Sequence, residues 1–264
     1  MDSYMTSMGK LLGLPVLASE HGQKVDDLMI YVHLLMGVLF VGWIAYIAVV
    51  LIRFRRERNP KASYQGVTSH ASSYIEVAVA VIEGVLLFGL SVPLWTQAVD
   101  AFPAKTESTQ IQVVAQQFAW NVRYPGADGV FGKQDMQWVN ATNVFGVDPT
   151  DPAGKDDVQT LNEIHVPLAK LPNGQNKPVV IYISSKDVVH SFKLIALRVT
   201  QDAIPGMRIP IWFRPTREGR FQINCAQLCG NSHSAMAGGF LVVESQAAYD
   251  KWLASKVGAA TSFE

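Results

Sequence analysis

Cysteine and charge are what this chain has least of. Only Cys225 and Cys229 occur in 264 residues, which excludes a disulfide framework, a Cys-x-x-Cys-His haem attachment and an N-terminal cysteine for lipid anchoring. Any haem partner therefore belongs to another chain. Charged residues make up 17% of the sequence, where about a quarter is usual for a soluble domain. The 22 acidic and 22 basic side chains cancel, so no basic field exists to hold a nucleic acid. With 49% apolar residues the chain is too hydrophobic for disorder. No internal repeat is present.

The apolar residues are concentrated. Leu28 to Ile52 contains no Asp, Glu, Lys or Arg and exceeds the roughly 20 residues a helix needs to cross a bilayer. Val77 to Trp95 is a second such run, carrying one internal carboxyl, Glu83, with Glu76 at its entrance. Between them Arg53, Arg55, Arg56, Arg58 and Lys61 cluster. The positive-inside rule places that loop in the cytoplasm and both termini outside. Lys10 followed by LLGLPVLA faintly resembles a signal peptide, with no clear cleavage site. The expected divisions are an outer N-terminal segment (1–27), a transmembrane hairpin (28–97), a β domain (98–246) and a C-terminal helix and tail (247–264).

Beyond Asp100 the pattern changes to short runs of β-branched and alternating residues: STQIQVVAQQFAWNVRYP, EIHVPL, PVVIYISS, HSFKLIAL, MRIPIWFRP, GRFQINC and GGFLVVES. Separated by Gly, Pro and Asn, they predict a small antiparallel sandwich or barrel. Gly126 to Asn162, rich in Gly, Asp and Asn, predicts one long loop or insertion. Its acids Asp148, Asp151, Asp156 and Asp157 are expected to be solvated. The spacing of Tyr249, Trp252 and Leu253 predicts a closing helix.

The chemistry is concentrated in CAQLCGNSHSAM, which holds Cys225, Cys229, His233 and Met236, with His190 upstream in KDVVHSF. Mixed thiolate, imidazole and thioether donors favour copper or zinc over hard cations. A Cys225–Cys229 disulfide, a structural zinc and ordinary histidines are the competing readings. The coincidence of all five donors favours a copper electron-transfer site.

On this motif the chain resembles subunit II of the haem-copper terminal oxidases, the cytochrome c oxidase family. The resemblance spans the hairpin and the sandwich and rests on Cys-x3-Cys-x3-His-x2-Met with His190 placed 35 residues before Cys225. DVVHSF and QDAIPGMR also resemble the family's strands around the first ligand. It implies a two-helix transmembrane hairpin plus an all-β, cupredoxin-like Greek-key sandwich. It further implies a dinuclear CuA centre of two copper ions. Cys225 and Cys229 would bridge the coppers, His190 and His233 would cap one each, and Met236 and the Gln227 backbone carbonyl would be weak axial ligands. The family's Glu between the cysteines, which helps hold a magnesium ion shared with subunit I, is Gln227 here, while Asp202 matches another acidic position at that interface. Phe118 stands where many members have the Trp that receives the electron, and Trp120 matches a later aromatic. Glu76 matches the entrance of a proton path into subunit I, aligned Pro93 supports that register, and Glu83 lies deeper.

The implied function is the electron-entry subunit of a respiratory oxidase. It would take electrons from a c-type cytochrome and pass them to haem in subunit I, where oxygen is reduced to water and protons are translocated. His33, alone in the spans, offers no haem ligand pair. The implied location is a bacterial-type inner membrane with the copper domain on the periplasmic side and other oxidase subunits as partners. A copper-containing subunit of a related nitric oxide reductase, or a membrane-anchored copper- or zinc-binding protein, remain alternatives.

Overall fold

The computed structural model describes residues 9–61, 64–66 and 68–257. These form two units, one comprising the hairpin and the other the sandwich together with Pro15–Gln23.

In the hairpin, helix α1 covers Gly22–Arg53. The second span is one continuous helical run, α2 (Ala71–Gly84), a π-helical segment (Val85–Ser91) and α3 (Val92–Val99). Both are long and apolar enough to cross a membrane, and each extends several residues past the apolar run seen in the sequence. The extension arises because flanking polar residues, including Gln23, Lys24, Ser72 and Ser73, continue a helix as well as apolar ones do. Lys24 Nζ donates to Gln97 Oε1 at 2.8 Å, tying the start of α1 to the end of the second helical run. At the other end Arg53 closes α1, a cation at the negative pole of the helix.

The sandwich has ten strands: β1 (Thr109–Gln116), β2 (Ala119–Tyr124), β3 (Val158–Leu161), β4 (Glu163–Leu168), β5 (Val179–Ser185), β6 (His190–Leu194), β7 (Val199–Ala203), β8 (Ile209–Phe213), β9 (Gly219–Cys225) and β10 (Gly239–Ser245). One sheet has the order β3-β2-β1-β5-β8 and the other β4-β10-β9-β6-β7. Alternate residues of each strand meet between the sheets. Ile111, Val113 and Ala115 from β1 and Trp120, Val122 and Tyr124 from β2 face Ile164, Val166, Phe192, Leu194, Ile223 and Leu241, all buried. Each large apolar side chain removed from water contributes about 1.5–3 kcal/mol. The result is a cupredoxin-like sandwich in one unit and a two-helix hairpin in the other.

Three expectations are corrected. The sheets are not purely antiparallel: β1 pairs with β5, and β4 with β10, in parallel. Parallel neighbours need a long crossover, and the intervening strands of the chain supply it. Of the two readings of 126–162 the single loop fails and the insertion stands, because β3 lies inside the stretch and extends the first sheet beside β2. Asp157 is not solvated. Its side chain is 1% exposed and pairs with the fully buried Arg123. Both faces of β2 are covered as a consequence, one by the core and the other by the insertion, whose Phe131 and Phe145 rings lie 5.3 and 6.0 Å from the Arg123 guanidinium carbon.

The closing helix forms as expected, as α4 (Gln246–Lys256), capped by Ser245. Its Trp252 stacks on His165 with ring centroids 4.0 Å apart, and the His165 ring lies between Glu163 (2.9 Å) and Glu244 (2.6 Å). Ahead of α1, Pro15–Gln23 straps the sandwich. Ala18 N–H donates to Ala196, Glu20 N–H to Arg214, and Ser19 Oγ to the Leu197 carbonyl at 2.6 Å.

Candidate metal centre

Four of the five side-chain donors anticipated from the sequence come from β9 and the segment joining it to β10; the fifth begins β6. Cys225 ends β9, Cys229 follows in the connection, and His233 and Met236 lie on the 3₁₀ turn His233–Gly238. His190 begins β6, which pairs with β9 so that Phe192 stands opposite Cys225. That register brings a histidine 35 positions upstream to the cysteines.

A His190 ring nitrogen and the two sulfurs all lie within 4.8 Å of one another, and His190 Nδ1 is 4.0 Å from Cys225 Sγ. The two Sγ atoms are 4.0 Å apart and both thiols are free. That separation is too long for a disulfide and shorter than twice a metal–thiolate bond of about 2.3 Å, so one metal can touch both. His233 Nδ1 lies 3.4 Å from Cys229 Sγ. The buried Met236 Sδ is 3.1 Å from His190 Nδ1 and 3.5 Å from Cys229 Sγ. The Gln227 carbonyl accepts from the Cys225 thiol at 3.1 Å. Soft sulfur and imidazole donors converging without a carboxylate among them fit copper. Burial and the neighbouring Cys225 push the Cys229 thiol up to about 11, so a metal entering here must displace protons.

Other anticipated residues fall around this centre or away from it. Phe118 is half-buried and lies against Gly230, immediately after Cys229. Trp120 is completely buried. Its ring packs edge-on against Phe192 at 5.3 Å, and Nε1 donates to the Met236 carbonyl at 3.0 Å. Of the two aromatics, only Phe118 therefore presents an edge at the surface. Asp202 is exposed on β7, opposite Ser191. Gln227 is exposed. Glu76 and Glu83 are exposed on α2, in the hairpin unit.

Sequence reasoning missed the support behind His190. Asp187 Oδ1 accepts from His190 Nε2 at 2.9 Å, which leaves Nδ1 facing the sulfurs. A carboxylate behind a ligating imidazole fixes its tautomer and ring orientation. Burial opposes the Asp187 charge, but hydrogen bonds from the Gln117 and Val188 amides and from His190 hold its carboxyl below the usual range. An Asp three residues before His190 was the signal available.

A hairpin long and apolar enough to cross a membrane, followed by a β-sandwich with a cluster of soft-metal donors, defines a class of membrane-anchored subunit with a candidate metal centre. The chain belongs to the cytochrome c oxidase subunit II family. The family model "Cytochrome C oxidase subunit II, periplasmic domain" matches residues 154–245. The alternative cytochrome c oxidase subunit 2 of Bradyrhizobium diazoefficiens is 32% identical over 87% of this chain and 79% of its own length. The probable cytochrome c oxidase subunit 2 of Rickettsia bellii is 28% identical over 92% of this chain and 81% of its own. Among solved structures, the periplasmic domain of subunit II of cytochrome oxidase (CoxB) of Bradyrhizobium japonicum is 24% identical, covers 58% of this chain and 95% of its own, and has a TM-score of 0.39.

Proposed function

We propose that this chain is the electron-entry subunit of a respiratory terminal oxidase. Electrons would come from a c-type cytochrome on the outer side and go to haem in subunit I, the site of oxygen reduction and proton translocation. The observation that carries the reading is the pair of free cysteine sulfurs 4.0 Å apart with His190, His233 and Met236 converging on them. Cys225, Cys229, His190 and His233, with Met236 and the Gln227 carbonyl as weaker donors, would hold a dinuclear copper centre. Bound there, the copper pair supplies a one-electron carrier whose charge change is spread over two metals.

The chain's own residues do the rest. A rigid sandwich holds the ligands in place through the redox cycle, which keeps rearrangement small. Asp187 orients His190, and Trp120 holds the Met236 backbone from beneath. Phe118, at the surface beside the ligand loop, is the electron-entry contact in this reading. Asp202 would face the interface with subunit I and its magnesium, and Glu76 with Glu83 would start a proton path into that subunit. The membrane is a bacterial-type inner membrane, with the sandwich on the periplasmic side.

The test is copper loading of the purified full-length chain in detergent under reducing conditions, followed by partial oxidation. Two coppers per chain and a purple, delocalised mixed-valence spectrum are expected, both lost in Cys225→Ser. One zinc per chain, or a Cys225–Cys229 disulfide in the reconstituted protein, would overturn the reading.

A further inference from the structure

β1 and β2 belong to one sheet, whereas the metal ligands come from β6 and from the connection between β9 and β10 in the other. A single two-residue turn of the first sheet, Gln117–Phe118, reaches both ligand groups. The Gln117 backbone N–H donates to Asp187 Oδ2 at 2.7 Å, while the other oxygen of Asp187 accepts from His190 Nε2 at 2.9 Å. The Gln117 side-chain amide donates to the Cys229 carbonyl at 2.6 Å. Gly230 follows with a φ of +143°, and a Cβ there would come within 2.9 Å of both Gln117 Nε2 and Phe118 Cζ. The ligand loop is thus laid directly on this turn, and only glycine fits the contact.

We propose that Gln117 is a positioning residue that fixes the Cys229 half of the metal site relative to the His190 half. The proposal rests on the reading of these residues as a metal site. The two hydrogen bonds do different things. The backbone bond sets Asp187 behind His190 and survives any substitution that keeps the turn. The side-chain bond pins the peptide that follows Cys229, so it controls where Sγ can go. Without it, the peptide plane is free to rotate, and the sulfur with it. Cys229 then approaches Cys225 more often in the metal-free protein and departs from its place beside Met236 and His233 in the loaded one.

The experiment uses the full chain in detergent as wild type, Gln117→Ala and Gln117→Glu. Gln117→Glu keeps the length and bulk but replaces the donor with an acceptor facing the carbonyl. In the first arm the reduced, metal-free proteins are treated with diamide, which takes two electrons and two protons from the thiols as the disulfide forms. Both variants should oxidise about three- to tenfold faster than wild type, the factor that the net strength of one hydrogen bond implies. In the second arm the copper-loaded proteins are compared by visible and electron paramagnetic resonance spectra, and both variants should show altered bands and hyperfine splitting. Wild-type behaviour of Gln117→Glu beside a changed Gln117→Ala would assign the effect to bulk and overturn the proposal. Unchanged rates and spectra in both variants would also overturn it, as would loss of fold in both, which would make Gln117 a stability residue only. A wild type that takes up no copper would sink the function proposed above and leave the diamide arm to decide the role of Gln117.

Discussion

Removing Arg123 tests whether the insertion over β2 is held by one buried ion pair. The Arg123 side chain is 0% exposed and that of Asp157 is 1% exposed. Burial, the largest influence on each, pushes the guanidinium pKa down and the carboxyl pKa up despite their contact. Both shifts say that desolvation outweighs the mutual attraction. A bare pair of this kind is often neutral or better when both partners become apolar, whereas removing one partner costs about 3–5 kcal/mol. This pair is not bare. Arg123 Nη2 donates to the Gly132 carbonyl at 2.8 Å, and Asp157 Oδ2 accepts from the Gly132 N–H at 3.1 Å. Replacing both side chains orphans both backbone groups of Gly132, at about 1–3 kcal/mol per buried group. Arg123→Met should therefore lose about 3–5 kcal/mol, and Arg123→Met with Asp157→Leu should remain destabilised by about 2–4 kcal/mol. Thermal melting followed by circular dichroism, at about 2–4 °C per kcal/mol for a unit of this size, resolves the difference. A double variant melting within about 1 kcal/mol of wild type would refute the claim that the pair anchors the insertion through Gly132.

Trp120→Phe removes the donor to the Met236 carbonyl, so the sandwich should lose at least about 1–3 kcal/mol in the same melts; a change below that range would show that the indole N–H is dispensable. Burial lowers the pKa of His21 from 6.5, partly offset by a hydrogen bond to the Arg198 backbone and by Glu20. The folded strap thus favours the neutral ring, and its contribution is complete above the unfolded value and falls as pH drops below it. Hydrogen exchange at the Ala18 and Glu20 amides, corrected for its intrinsic pH dependence, should accelerate on acidification below about pH 6.5, and unchanged protection would contradict this. In the assembled oxidase, Gln227→Glu should raise retained magnesium or manganese, because Mg²⁺ prefers carboxylate oxygens; equal occupancy in both forms would place that site on the partner chain alone. On the function proposed above, Glu76→Ala should slow proton-coupled reduction of the partner's oxygen site and leave reduction of this subunit by its donor intact, with unchanged proton uptake removing Glu76 from the proposed path.

What was legible in the sequence follows from which interactions are local. The spans could be read because a run such as Leu28 to Ile52 carries its own signal, and the ligand loop because Cys225, Cys229, His233 and Met236 are neighbours in sequence. Eight of the ten strands were legible from alternation, β3 and β7 lying outside the runs read from the sequence, and strand direction was not legible, since the parallel pairing of β1 with β5 depends on a crossover that no local pattern records. Asp157 looked solvated because aspartate in a Gly- and Asn-rich stretch usually is, and only the fold brings it to Arg123, 34 positions away. Gln117 was invisible for the same reason, lying 112 positions from the carbonyl it holds.

The hairpin shows the opposite case, in which the apolar runs read from the sequence reappear as helices while two carboxyls on them find no partner among the described residues. Glu76 and Glu83, seven residues apart on α2 before the π-helical segment begins, lie about 10 Å apart along the axis on nearly one face. Both are exposed and neither has a hydrogen-bond or ionic partner among the described residues. A carboxyl inside a span is costly unless a neighbouring helix or water satisfies it, and α1 does not do so. The π-helical turn that begins two residues after Glu83 widens the helix there, a feature that recurs at functional positions. The sandwich satisfies its buried polar side chains almost completely, with Asp157 Oδ1 and Trp212 Nε1 the exceptions among the described residues. Among the described residues the hairpin satisfies neither carboxyl, which is what the proposed proton path into subunit I requires of Glu76 and Glu83.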